Sequence, residues 1–298
     1  MLTRRQFLAR TAAFTTLPVL GRAAESAITL GYSLYGMKTV PLDEALKTCA
    51  EIGYQHVEFA LNAGWPTEPK ILDAAARQAL GEKLASLKLG VSGLMLNMSL
   101  PVNDTVHAQN LAALKEAAQF AHDLNPAAPP LIETVLGGKP AEWDKLKDQM
   151  AARLRSWAAT AAAANITLAI KAHVGSAVNS PERLLWLLEQ APSSALCVAY
   201  DYSHFEVQGL DLTKTLDPLF PRTRFIHVKD TAGDATKFQF LLPGEGHTDY
   251  AAYFKLLKER NYHGPVVVEV SAQVFNKSGY DPIAAAKKCY ATLSKALG

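Results

Sequence analysis

The sequence predicts a single (β/α)8 barrel, and three observations carry that prediction. Eight short runs rich in apolar residues alternate with longer helical patterns from residue 28 to the end. Runs such as Val266-Val267-Val268 are apolar on both faces, as parallel strands covered by helices must be. No dinucleotide-type glycine fingerprint accompanies them, which favours a closed barrel over an open doubly wound sheet.

Taken in order, the strand-like runs are 28–32, 56–61, 90–96, 131–136, 166–173, 196–201, 224–229 and 265–270. Helical patterns fall at 41–52, 69–88, 104–124, 140–164, 180–191, 209–218, 248–260 and 280–297. Ser180-Pro181 ahead of Glu182 and Thr248-Asp249 ahead of an apolar-periodic stretch are helix start signals, a capping side chain followed by a residue suited to the first turn. No repeat, low-complexity tract or linker divides the chain, and barrels of about 250 residues are ordinary as one unit.

The N-terminus reads as an export signal. Arg4-Arg5-Gln6-Phe7-Leu8 is followed by a short apolar stretch to Leu20 and the small residues Ala23-Ala24. This pattern is similar to twin-arginine signal peptides, whose machinery exports folded proteins. The expected division is a signal at 1–24 and a barrel at 25–298, with the twin-arginine machinery as partner and the periplasm, or another exported location, as destination. The apolar stretch is too short for a stable membrane span, which takes about 20 residues. Folding before export is compatible with loading a metal or cofactor inside the cell.

Of 298 residues 49% are hydrophobic, and 30 basic side chains against 28 acidic ones give a net charge of +2. That balance, with no basic run, argues against a nucleic-acid partner. Cys49, Cys197 and Cys289 lack metal-type spacing. Cys49 and Cys289 fall in the first and last helices, neighbours in a closed barrel. Two separate buried thiols is the plainer reading, and a disulfide is the alternative that an oxidising compartment allows.

Parallel barrels gather their chemistry at the C-terminal strand ends. Here strand five ends Lys171-Ala172-His173, strand six Asp201-Tyr202-Ser203-His204, strand seven His227-Val228-Lys229-Asp230, and strand eight carries Glu269. Side chains alternate across a strand, so Lys171 and His173 share a face, as do His227 and Lys229. Asp201, His227 and Glu269 are then expected to converge, two carboxylates and an imidazole suited to Mn, Mg, Co or Zn. Single residues carry plainer alternatives. His204 reads equally as a hydrogen-bonded strand-end histidine, Asp230 as a turn cap and Glu245 as a loop-shaping residue. Glu58 and Glu133 could point outward to the helices, and of the four tryptophans only Trp65 sits at the correct end to meet a sugar.

Asp-x-x-His at strand six, His-x-Lys-Asp at strand seven and Glu at strand eight resemble the sugar phosphate isomerase/epimerase superfamily, the xylose-isomerase-like TIM barrels. Leu242-Pro243-Gly244-Glu245-Gly246 and Gly53-Tyr54-Gln55-His56-Val57-Glu58 add to the resemblance, which spans about residues 28–297. It implies a divalent metal held by Glu, Asp, His and Glu on strands five to eight. Asp201, His227 and Glu269 match; Lys171 stands where the strand-five Glu belongs. An ammonium has no lone pair and cannot coordinate. His173 could supply the missing ligand, Glu133 or water could complete the shell, or the ammonium could itself take the cation's place.

The implied function is metal-assisted proton abstraction from a sugar or keto-sugar, leading to isomerisation, epimerisation or elimination. Glu269 or Lys171 would move the proton, with Lys229 and His204 steadying the oxyanion. Glu58, Trp65, His173, Asp230 and Glu245 are the expected substrate contacts. A catalytically silent barrel that binds sugars in the periplasm is the alternative, and a homo-oligomer is left open.

Overall fold

Strand and helix alternate through the computed structural model, which describes residues 28–298. The barrel strands are β1 (Ile28–Ser33), β2 (His56–Ala60), β3 (Gly90–Met95), β4 (Ile132–Val135), β5 (Leu168–Lys171), β6 (Leu196–Asp201) and β7 (Thr223–Val228). A hairpin of β8 (Asp230–Asp234) and β9 (Lys237–Leu241) intervenes before the last barrel strand, β10 (Gly264–Val268). The eight barrel strands close in sequence order, each parallel to its neighbours, with β10 returning to β1. The predicted export signal lies outside the described residues.

The helices are α1 (Leu42–Ile52), α2 (Ala74–Ser86), α3 (Asp104–Leu124), α4 (Trp143–Ala163), α5 (Pro181–Gln190), α6 (Ser203–Glu206), α7 (Leu212–Leu219), α8 (Tyr250–Glu259), α9 (Ala272–Phe275) and α10 (Pro282–Leu297). The start signals act as read. Ser180 accepts from the Arg183 N–H with Pro181 in the first turn, and Asp249 accepts from Ala252 N–H. Each such cap is worth about 1 kcal/mol. Tyr54 Oη donates to the Ala286 carbonyl at 2.9 Å and ties the chain after α1 to α10. Cys49 and Cys289, on those two helices, are separate buried thiols.

The strands sort their side chains into an outer and an inner set. Leu168, Ile170, Val198, Ile226, Val266 and Val268 pack outward on the helices in the main core. Inside the barrel, Ala169, Cys197, Ala199, Phe225 and Val267 form a small apolar plug. Gly93 makes room for the largest of these, since a Cβ there would come within 3.1 Å of the Phe225 ring. Two residues further along each strand the inward position becomes Lys171, Asp201, His227 and Glu269. Period-two alternation thus places a charged layer directly on an apolar one, and Phe225 packs against the His227 ring at 4.7 Å between centroids.

Candidate active site

The charged layer is a closed network of buried ions. His227 and Asp201 are register partners on β7 and β6, and Glu269 follows β10, its N–H donating to the Val228 carbonyl at 3.1 Å. From β5, Lys171 Nζ reaches Glu133 Oε1 at 2.9 Å, His227 Nδ1 at 3.0 Å and Glu269 Oε2 at 3.2 Å. Lys229, just past β7, donates to Asp201 Oδ2 and, at 2.7 Å, to Glu269 Oε2. Asp201 Oδ1 accepts from Ser203 Oγ at 2.5 Å, and His204 Nε2 lies 3.3 Å from Asp201 Oδ2. Below them Glu58 Oε2 meets His227 Nε2 at 3.0 Å.

Burial alone would neutralise these groups, and their partners decide otherwise. Glu133, Glu269 and Asp201 override the desolvation of Lys171 and hold its ammonium well above the usual lysine range. Against the same penalty, Lys229, His204 and Lys171 keep Asp201 far below the ordinary carboxylate value. Lys171, Lys229 and His227 do so for Glu269. Glu133 is raised, because burial outweighs Lys171 and His227. His227 is raised to about 9, burial being outweighed chiefly by Glu58. Its Nδ1 faces both the Lys171 ammonium and, at 3.3 Å, Glu269 Oε2. As a lone pair it accepts from Lys171; as N–H it donates to Glu269.

A cavity of about 320 Å³ opens above this network, lined among others by Tyr35, Lys171, His173, His204, Lys229, Phe240 and Glu269. A larger opening of about 570 Å³ at the opposite end, lined by Arg222, Arg224 and Thr167, holds none of the converging groups. The converging charged groups border the smaller one, at the C-terminal strand ends. One wall is aromatic. Tyr35 stacks on Trp65 at 5.0 Å and 10°, with Phe275 edge-on behind it. Phe240 of the hairpin roofs the other side, 5.0 Å from the His204 ring and from Lys229 Nζ. Its N–H donates to Gln273 Oε1 at 2.8 Å, which pins the hairpin to α9.

The structure brings Asp201, His227, Glu269, Lys171, Lys229 and His204 together, and places the other expected residues elsewhere. His173 is not among the converging acceptors. Its ring packs against that of His204, 4.1 Å between centroids and tilted by 44°, and its Nδ1 accepts from Gly175 N–H, so it lines the cavity without joining the ligand set. Glu58 points inward beneath His227, away from the cavity. Asp230 is consumed by backbone N–H groups of Gly244, Gly246 and Thr248, and so shapes the loop as a turn residue does. Glu245 pairs with Lys288 on the outside. Trp65 has Tyr35 on one face and Lys38 4.0 Å from its ring centroid; it backs the cavity wall, and Tyr35 is the ring that lines it. Lys171 is held as an ammonium. Tyr35 and Phe240 escaped the sequence reading, although the alternation Lys237-Phe238-Gln239-Phe240 is a strand signal.

Acceptor atoms of Asp201, His227 and Glu269 lie within 4.8 Å of one another, as do those of Glu58, Glu133 and His227. By type and spacing the first set fits a divalent ion, although ammonium groups stand on the same acceptors. Beneath it, Glu58 Oε1 and Glu133 Oε2 are buried without a hydrogen-bond partner.

Barrel, strand-end carboxylates and imidazole together define the class, and the chain belongs to the xylose isomerase-like TIM barrel family, whose model matches residues 46–290. Among curated relatives, the inosose dehydratase of Geobacillus kaustophilus is 24% identical over 284 residues, 85% of each chain. The L-ribulose-5-phosphate 3-epimerase UlaE of Salmonella typhi is 23% identical, over 76% of this chain and 81% of that one. Among solved structures, the IOLI protein with a bound zinc atom superposes with a TM-score of 0.73 at 18% identity, covering 90% of this chain and 99% of that one.

Proposed function

We propose that this chain is an enzyme of carbohydrate chemistry that removes a proton from the carbon beside a ketone and expels a neighbouring hydroxyl as water. The observation that carries this reading is the asymmetry of the site. Glu269 lines the cavity and keeps 13% of its side chain exposed, whereas Glu58, Glu133 and Asp201 are enclosed. Across from it stands the Lys171 ammonium where the family resemblance calls for a second carboxylate. One proton acceptor and flanking proton donors suit elimination. The C–H bond breaks to Glu269, its electron pair becomes the new C=C bond, and the departing oxygen leaves as water with a proton from an ammonium. A symmetric epimerase instead needs an acceptor on each face.

Lys171 and Lys229, fixed on Glu269 Oε2, would carry the charge that develops on the carbonyl oxygen. A divalent ion, held by Asp201, His227 and Glu269, would supply the same polarisation of adjacent substrate oxygens when bound; Mn, Mg, Co and Zn all accept such donors. Both lysines are matched by carboxylates and the rim imidazoles of His173 and His204 are held neutral. A phosphate or carboxylate on the substrate would meet no uncommitted cation among the described cavity residues, so the fitting substrate is a neutral polyhydroxy ketone. Dehydratase and epimerase relatives support the reaction class.

The test is deuterium incorporation from solvent, with absorbance of the enone product, across a panel of neutral and phosphorylated ketoses. Exchange and enone formation with neutral ketones are expected. Binding of neutral sugars with no exchange at any pH would instead make this a silent sugar-binding barrel. We propose also that the chain is exported folded through the twin-arginine route; among described residues no helix is long and apolar enough to cross a membrane.

A further inference from the structure

The acceptors that suit a divalent ion already carry ammonium groups. Lys171 Nζ sits 3.0 Å from His227 Nδ1 and 3.2 Å from Glu269 Oε2. Lys229 Nζ takes Asp201 Oδ2 and a second share of Glu269 Oε2. An imidazole nitrogen has one lone pair, which His227 Nδ1 offers only when unprotonated, so in no state can it serve an ammonium and a metal together. We propose that Lys171 is the resident cation of this barrel, and that its ammonium and a divalent ion exclude one another at His227 and Glu269.

Its setting is that of a built component. The side chain is 2% exposed and is among the largest wholly buried ones in the protein. It rises from a strand held on both sides, Val135 pairing with Lys171 from β4 and Ile170 with Val198 of β6. Glu133, enclosed on β4, pairs with Lys171 Nζ at 2.9 Å and anchors the ammonium from below. Removing the lysine would take from Glu133 and Glu269 the ammonium that both now face, a costly loss for buried carboxyl groups. A cation is therefore required here, and the chain carries its own. The barrel accordingly needs no ion for stability, and an ion enters only by expelling a hydrogen-bonded ammonium from acceptors it fits.

This inference is independent of the reaction proposed above, because it is read in binding and unfolding rather than turnover. Full-length wild type, Lys171→Met and Lys171→Glu are titrated with Mn by calorimetry and melted with chelator and with added Mn. Wild type should melt at the same temperature under both conditions and bind Mn weakly. Lys171→Met, which keeps the volume and removes the charge, should melt lower without metal, bind Mn at least about tenfold tighter, and recover part of its Tm with Mn. Lys171→Glu should bind more tightly again; should it not fold, the Met variant alone decides. Equal Mn affinity in wild type and Lys171→Met, including none in either, overturns the proposal. So does a stoichiometric ion in wild type whose removal lowers the Tm.

Discussion

Lys171 and Lys229 donate to one and the same oxygen, Glu269 Oε2, at 3.2 and 2.7 Å. Two ammonium groups sharing a single acceptor make that carboxylate the keystone of the network, and in the proposed reaction it is also the proton acceptor.

Glu269→Gln should therefore lose turnover by about 10²–10⁴-fold, the range for a general base. It should also destabilise the fold by about 3–5 kcal/mol, because two buried cations lose their common counter-charge. Solvent exchange measures the first effect and urea unfolding the second. A stable variant with intact turnover would remove Glu269 from the chemistry.

Tyr35 forms the wall that a sugar ring would face. Tyr35→Leu should raise KM about three- to tenfold, the worth of an aromatic contact of about 0.5–1.5 kcal/mol, with a smaller change in kcat. Trp65→Leu should act in the same direction and more weakly, since Trp65 only braces Tyr35. A larger effect from Trp65 than from Tyr35 would reverse their order at the cavity.

His204 and His227 set opposite limbs of the stability profile. Burial lowers His204 from 6.5 to about 4, Asp201 opposing only in part. The unfolded chain thus binds more protons below 6.5, and stability falls as pH drops from 6.5 toward 4, by at most about 1.4 kcal/mol per pH unit. His227, raised to about 9, acts oppositely: its contribution is full below 6.5 and is lost as pH rises through 9. Glu133, raised by burial, offsets part of the acid loss, so the informative measurement is a comparison. Urea unfolding from pH 4 to 7 should show a flatter slope for His204→Gln than for wild type. Parallel slopes would mean that His204 titrates alike in both states.

Replacing Arg4 and Arg5 by Lys should hold the precursor in the cytoplasm, because the twin-arginine machinery reads the guanidinium pair. Fractionation followed by immunoblotting detects this. Unchanged periplasmic protein from the variant would exclude that route.

The barrel was legible because its strands obey a strong rule. Segments apolar on both faces, such as 266–268 and 196–200, have few other places to go, and the 196–201 run coincides with β6. Helix 104–124 is likewise reproduced by α3, which Asn103 caps. The convergence of Asp201, His227 and Glu269 followed from alternation alone. What stayed hidden depended on contacts between distant segments. Nothing local to Lys171 says that Glu133, on another strand, meets it, or that Glu58 turns inward under His227. His173 has the strand phase of a ligand, but the chain leaves β5 at Lys171 and carries His173 into the turn that places it on His204. The hairpin 230–241 lies outside the strands assigned from sequence, because Asp230 and Gly233 are turn formers by composition and its aromatic alternation is short.

That hairpin begins and ends at one place: Asp230 and Leu241 are cross-strand partners. Its excursion therefore returns the chain to where it departed, and barrel closure between β7 and β10 is indifferent to what the excursion contains. Phe240, the residue that roofs the cavity, rides on this detachable piece, while the ions below belong to the barrel itself. On the proposed reading, the cavity roof and the proton chemistry are in this way written on different parts of the chain. An exchanged or lengthened hairpin could redirect the protein to a differently shaped sugar while leaving its proton chemistry in place.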